Sequence, residues 1–176
     1  SYMTVKNNKR TVFGWAMYDW ANSAYSTTTV GALMPAYFAA IVVGEDGWNF
    51  GGTNYLADEI WGYATGIVIF IFFLIMPVFG AMADMSGSKM KFLRIFAYGG
   101  SVFATVMFFL TAGDVWLTLF LYLGAQFGFV GSLVFNDGLL RDITTEDTID
   151  QVSTRGYALG YIAVSYTHLT LPTRYR

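Results

Sequence analysis

Cysteine is absent from this chain and histidine occurs once, at His168. Without thiols there are no disulfides, no thiolate metal sites and no cysteine nucleophile, and one imidazole cannot make a two-histidine zinc motif. No cofactor and no metal are expected. Charge is scarce as well: Asp, Glu, Lys and Arg make up 12% of the 176 residues, about half the share in an average soluble domain. The formal charge of -2, from 10 basic and 12 acidic side chains, lacks the basic excess that a polyanion would require, so no nucleic-acid partner is expected. What fills the chain instead is apolar, at 55% hydrophobic and 19% aromatic residues. One aqueous core cannot bury so much apolar surface. The expected class is all-α, a polytopic membrane helix bundle with the lipid bilayer as its surroundings.

Four uncharged or nearly uncharged runs carry that expectation. Trp61 to Ala83 is 23 residues without an ionisable Asp, Glu, Lys or Arg, enough as a helix to cross a ~30 Å hydrocarbon core with some tilt. Ile95 to Gly113 and Val115 to Asn136 follow, separated by Asp114 alone, which predicts a tight hairpin of spans. The first apolar stretch, Thr11 to Gly44, contains only Asp19 as an ionisable residue and predicts a span from about Phe13 to Val43. Asp137 to Arg155 is acidic and soluble in character, a connector in which Thr144 and Thr145 cap a short helix. A fifth span starts at Gly156 and is cut short near Ala163. The domain organisation is thus an N-terminal segment over 1–12, a transmembrane part over 13–163 and a tail over 164–176 whose Pro, Arg and polar residues read as foreign to the fold.

Basic residues near span ends stay on the cytoplasmic side. Lys6, Lys9 and Arg10 precede span one, Lys89, Lys91 and Arg94 lie between spans two and three, and Arg141 and Arg155 follow span four. The loop from Gly44 to Ile60 and the turn at Asp114 hold Glu45, Asp46, Asp58 and Glu59 but no Lys or Arg. This asymmetry puts the amino terminus in the cytoplasm.

Asp19 is the residue in span one that needs explaining, because an ionised carboxylate in hydrocarbon costs a few kcal/mol unless it meets water or a partner. Asn22, Ser23 and Ser26 stand at i+3, i+4 and i+7 from it, and Tyr18 and Tyr25 flank the stripe. Two explanations fit: a helix lining a solvated cavity with Asp19 as a cation or proton site, or a boundary carboxylate snorkelling to the interface. Pro35 and Pro77 can bend spans one and two, though prolines are also simply commoner in membrane helices. Gly62-x-x-x-Gly66 and Gly124-x-x-x-Gly128, with Gly131 and Ser132 beyond, read as seams where helix backbones approach closely.

The junction of spans two and three runs Gly80-Ala-Met-Ala-Asp84-Met-Ser-Gly87-Ser-Lys89-Met-Lys91. A carboxylate at a membrane surface can accept hydrogen bonds from a neighbouring helix end, and the glycines let the chain pack and turn. The arrangement fits a breakable latch, or an ordinary basic turn obeying the topology rule.

This junction resembles the loop signature between helices two and three of the major facilitator superfamily. Gly80, Asp84, Gly87, Lys89 and Lys91 fit it, while Met85 stands where a basic residue is usual. A narrower likeness lies in Tyr18-Asp-Trp-Ala-Asn-Ser-Ala-Tyr-Ser26, in Val152-Ser-Thr-Arg155-Gly-Tyr-Ala-Leu-Gly160-Tyr, and in Phe135-Asn136 with Leu139, Leu140 and Asp142, Arg141 standing at a position where proline is expected. These look like stretches of the vacuole-effluxer-like branch, over about residues 13 to 163.

The resemblance implies twelve helices in two six-helix halves, of which this chain carries the first four and the start of a fifth. Its partner would be the remaining, C-terminal half. Helices one and four would line the cavity, so Tyr18, Asp19, Asn22, Ser23, Tyr25 and Ser26, with Gln126 and Asn136 of span four, are the expected solute or ion pathway. Gly80, Asp84, Gly87, Lys89, Lys91 and Arg155 are the expected conformational latch. The implied function is secondary transport of a small polar solute by alternating access, amino acids being one candidate because the branch includes fungal vacuolar amino-acid exporters. Proton coupling would most simply use Asp19, taken as the only ionisable residue inside the four spans. The membrane would be cytoplasmic in a prokaryote and vacuolar in a fungus. The competing reading is a polytopic receptor or assembly subunit without transport activity. An enzyme is not expected, because no Ser/His, paired-Asp or His/Glu set lies at catalytic spacing within the spans.

Overall fold

The computed structural model of the protein describes residues 6–85 and 88–170; within its helices the side chains at 83, 84, 155, 157, 159, 160, 163, 164 and 166–170 are not described. Its helices are α1 (Lys9–Tyr25), α2 (Met34–Tyr37), α3 (Ala57–Met85), α4 (Lys89–Val106), α5 (Val115–Ile143) and α6 (Glu146–Thr170), with one hairpin of β1 (Trp48–Phe50) and β2 (Thr53–Tyr55). Among the described residues four helical stretches are long and apolar enough to cross a membrane: Lys9–Val43, Ala57–Met82, Lys89–Phe109 and Val115–Ile143. They coincide with the four runs read from hydropathy, and the protein is an all-α polytopic membrane bundle.

The first span is not a uniform α-helix. Ser26–Leu33 and Phe38–Val43 adopt the wider π-type turn, with α2 between them. The run Ser26-Thr-Thr-Thr-Val30 crowds β-branched side chains against the preceding turn, and the Thr27 hydroxyl donates to the Ser23 carbonyl at 2.9 Å. Pro35 then lacks the amide hydrogen that Gly31 would otherwise receive. The span ends at Gly44, whose φ of 77° is the left-handed conformation glycine tolerates. α3, by contrast, continues as one helix through Pro77.

Two expectations about the end of span four are corrected. α5 does not stop at Asn136 but continues through Asp137, Arg141 and Asp142 to Ile143. The stretch from Asp137 is therefore helix rather than a soluble connector, because Leu139, Leu140 and Ile143 provide an apolar stripe that packs on Trp15, Ala16 and Val152. The turn to α6 is made by Thr144 and Thr145 alone. The Thr144 hydroxyl donates back to Leu140 O at 2.6 Å, while Thr145 O accepts the amides of Thr148 and Ile149 that open α6. The helix opened there is long, not short.

The chain divides into two compact units, one formed by residues up to Ala32 with those from Asn136 onward, the other by Leu33–Phe135. In the first, α1 packs along α6, and the segment before α1 is tied to the α5–α6 turn. Asn7 donates its amide to Ile143 O at 2.8 Å and its Nδ2 to the Thr145 hydroxyl at 2.9 Å, and its Oδ1 accepts from the Thr148 hydroxyl at 2.7 Å. Asn8 caps α1, its side chain accepting from the amides of Arg10 and Thr11.

In the second unit, α4 and α5 meet at glycines. A Cβ on Gly100 would come 2.9 Å from the Gly128 Cα, and on Gly124 and Gly131 it would strike the rings of Phe103 and Phe96. Phe135, fully buried, stacks on Phe92 at 5.2 Å and on Phe96 at 5.7 Å between ring centres. Gly124, Gly128 and Gly131 are thus a true seam. Gly62 and Gly66 are not: they are exposed, and nothing lies within 4 Å of an added Cβ at either. Their spacing makes a small-residue face, but no described element of this chain approaches it.

At the far end of this unit Phe38, Val42, Ile60 and Val115 form a buried cluster. The Tyr37 hydroxyl donates to Leu110 O at 2.7 Å, and Gly113 N donates to Val42 O at 2.8 Å. Asp114 closes the turn between spans three and four, its carboxylate accepting the Thr111 amide at 2.9 Å and hydroxyl at 2.7 Å. Those two hydrogen bonds hold the Asp114 pKa below its ordinary value. The hairpin, in register Trp48↔Tyr55 and Phe50↔Thr53, turns through Gly51 and Gly52 at φ 62° and 88°.

Candidate functional site

The polar stripe of span one lies on the last two turns of α1 and reaches Ser26, the first residue of the π-type segment. Tyr18, Asp19, Asn22, Ser23, Tyr25 and Ser26 are all half-buried, neither turned fully outward nor sealed in the core. One helical turn before Asp19, Trp15 is 6% exposed and its indole Nε1 donates to the Asn136 backbone carbonyl at 2.8 Å. The same indole leaves no room for a side chain on α6, since a Cβ at Gly156 would meet it at 2.5 Å. Trp15 therefore fixes α1 against α5 and α6 together, and the register it sets carries the polar stripe alongside the continuation of α5.

That register brings a second carboxylate to Asp19. Asp137, next to Asn136 on α5, interacts electrostatically with Asp19. Asp19 is accordingly not the sole ionisable residue within the four spans, because Val115–Ile143 carries Asp137, Arg141 and Asp142 as well. Like charges facing one another are unfavourable unless a proton or a cation intervenes. Asp137 was hidden from the sequence by its position at the end of the uncharged run. The signal that finds it is helical continuity, since Leu139, Leu140 and Ile143 extend the apolar stripe of α5 past it.

Two buried amides sit near this pair in the chain. The Asn22 Nδ2 and the Asn136 Nδ2 have no hydrogen-bond partner, and Asn136 is only 2% exposed. A buried amide left unsatisfied costs about 1–3 kcal/mol, so such groups persist where something other than stability requires them. Gln126 belongs to the other compact unit. There its Nε2 donates to the Tyr122 hydroxyl at 3.3 Å while its Oε1 has no partner.

Of the expected latch, Gly80 is half-buried near the end of α3 with open space around it, Lys89 opens α4, and Lys91 is exposed two residues on, in the same first turn. Gly87 and the side chains of Asp84 and Arg155 lie outside the described residues. Among the described residues no group of three His, Asp or Glu stands together as a metal site.

The comparisons with known proteins agree with one another. The model of the vacuole effluxer Atg22-like family matches residues 7–157, most of the chain. A curated relative from Bacillus subtilis (strain 168), named an uncharacterized MFS-type transporter YxiO, is 38% identical over 149 residues, 84% of this chain and 33% of the relative. The chain thus spans about a third of the length of that relative. No solved structure matches. With the motif of span one and the first half of the α6 motif lying inside the matched residues, the chain belongs to the vacuole-effluxer, Atg22-like family of major-facilitator-type membrane transporters.

Proposed function

We propose that this chain supplies part of the solute pathway of a secondary transporter that moves a small polar solute, amino acids being the first class to test, by rocking one half of the complete protein against the other. The observation that carries this reading is the polar face of α1. A carboxylate, an unpartnered amide and two hydroxyls follow one another along a helix otherwise fit for lipid, and a second carboxylate, on α5, stands within electrostatic range of the first. Asp19, Asn22, Ser23, Ser26 and Asn136 would contact solute or water. Asp19 and Asp137 together would hold one coupling proton or cation.

The orientation belongs to the same proposal. Lys89 and Lys91 stand in the first turn of α4, a turn that contains no Asp or Glu, and cations at that end of a helix oppose its dipole by ~0.3–1 kcal/mol each. Retention of basic residues on the cytoplasmic face would account for that cost and would put the amino terminus on the same side. Asp84 with Gly87 to Lys91 and Arg155 would then form the latch that holds one conformation.

The test is cysteine substitution at Asn22, Ser23 and Ser26 of the full-length protein, with labelling by membrane-impermeant thiol reagents in the presence and absence of candidate amino acids. Labelling that the transported solute blocks is expected. Protection at all three positions, equal to that of a cysteine buried in the α4–α5 seam at Phe135, would overturn the reading.

A further inference from the structure

At the end of the bundle opposite Lys89, two adjoining apolar crevices open on the outward side of α3 and α5. The first, about 300 Å³, is walled by Trp48 and Phe50 of the hairpin, Tyr63 and Ile67 of α3, and Trp116 of α5. The second, about 250 Å³, continues from it, sharing Ala64, Ile67, Trp116 and Leu119 and reaching Leu123. From Trp116 to Leu123 the groove descends about 10 Å along α5 at ~1.5 Å per residue. We propose that this groove binds one acyl tail of a phospholipid whose headgroup carries an ammonium ion.

The hairpin builds the upper wall. Trp48 and Phe50 alternate onto one face of β1, lie nearly parallel at 5.2 Å, and both meet the edge of Trp116, at 5.4 and 5.7 Å. Rings in this arrangement are stiff, so the crevice is held open rather than collapsed. Below the rings, the walls belong to two membrane-crossing helices, where hydrocarbon is the medium. Water has nothing to bond to there, because the lining is almost entirely apolar.

Size argues for a chain and not for a helix. A water-sized group takes about 30 Å³, and a methylene is comparable, so the first crevice accommodates on the order of ten such groups. A helix is ~10–12 Å across with its side chains and does not enter a slot of that volume.

Charge chooses the headgroup. Asp58 and Glu59 stand in the first turn of α3, one turn above Tyr63, and Glu45 and Asp46 precede the hairpin; all four are exposed. Residues 44–60 contain no Lys or Arg. An acidic rim attracts an ammonium and repels a net anionic head over the few ångströms that matter inside a Debye length.

The experiment uses the full-length protein in lipid nanodiscs of equal parts phosphatidylethanolamine and phosphatidylglycerol, with brominated tails on one or the other. The readout is the part of tryptophan quenching that disappears in Trp48→Phe/Trp116→Phe. Bromine on the ethanolamine lipid is expected to dominate that component by a factor on the order of five, as one surface charge pair would give. Asp58→Asn/Glu59→Gln should equalise the two lipids, and Ala64→Phe, which fills both crevices, should remove the component. Equal quenching by both lipids in the unmodified protein overturns the headgroup assignment. Absence of quenching by either shows the groove covered by the rest of the chain or by a second copy, and overturns the proposal. Ile67→Phe, which adds no emitter to the groove, checks filling independently of Ala64.

Discussion

Trp15 Nε1 and the backbone carbonyl of Asn136 are joined by a 2.8 Å hydrogen bond between residues 6% and 2% exposed. This bond ties α1 to α5 across 121 positions of sequence, and the ring that makes it also occupies the notch at Gly156 of α6. Trp15→Phe retains most of the ring packing and loses the bond. In a membrane protein that should cost about 0.6–1.7 kcal/mol. Trp15→Ala also empties the notch and should cost about 3–5 kcal/mol. Heat or denaturant unfolding of the full-length protein in detergent orders the two variants. Equal losses would mean that the hydrogen bond, and not the packing of the ring, does the joining.

Two pairs of glycines with the same spacing should respond oppositely to alanine. Gly128 lies against Gly100 with backbone on both sides, so Gly128→Ala should push α4 from α5 and cost about 1–3 kcal/mol. Gly62 has open space around it, so Gly62→Ala should be neutral or stabilise by roughly 0.5–1 kcal/mol through helix propensity. Thermal unfolding of both variants in the same detergent measures the contrast. Destabilisation by Gly62→Ala would mean that another part of the full-length protein packs on that face.

These glycines show how far the sequence could be read. The four spans were legible because length and apolarity are properties of the chain itself, and a membrane demands both. Spacing of small residues was legible too, but not which of the two seams has a neighbour, since that depends on the neighbour. The π-type turns of span one were missed, although Ser26 to Val30 and Pro35 carried the signal in their β-branched crowding and lost amide. The hairpin was missed because residues 44–60 were read for charge only; Gly51-Gly52 between Trp48-Asn-Phe50 and Thr53-Asn-Tyr55 is a turn signal. Asp19 stood out as a lone carboxylate in an apolar run. Asp137 did not, because charges near it resembled a soluble segment until the stripe of Leu139, Leu140 and Ile143 is traced.

The Asp19 and Asp137 carboxylates should act as a unit. If they hold one proton between them, Asp19→Asn and Asp137→Asn in the full-length protein should each abolish solute accumulation driven by a proton gradient. Exchange of solute at equal concentrations, which moves no net proton, should survive. Removal of both carboxylates should then do no further harm, because the second has lost its partner. Uptake measured in proteoliposomes with an imposed pH difference separates the cases. Unimpaired accumulation in Asp137→Asn would leave Asp19 to act alone.

Asp114 gives a pH dependence whose sign follows from its bonds. The Thr111 hydroxyl and amide stabilise the charged carboxylate in the folded turn, and its pKa lies below the ordinary value there. A depressed folded pKa contributes stability that is fully present above the unfolded value of about 4. That contribution is lost as pH falls through the lowered folded value. The wild type should therefore be more stable than Asp114→Ala at pH 7, and the margin should shrink as the pH is taken below about 4. Thr111→Val removes the hydroxyl bond and leaves the amide bond, so the folded carboxylate should titrate closer to its ordinary value, and the pH-dependent part of the margin should be smaller and be fully lost at a higher pH. Unfolding of the three proteins across that range in detergent tests both statements. A margin that stays constant with pH would mean that the Asp114 side chain does not act through its charge; no margin at pH 7 would leave only its backbone carbonyl, which accepts from Thr118 N at 2.9 Å, to hold the start of α5.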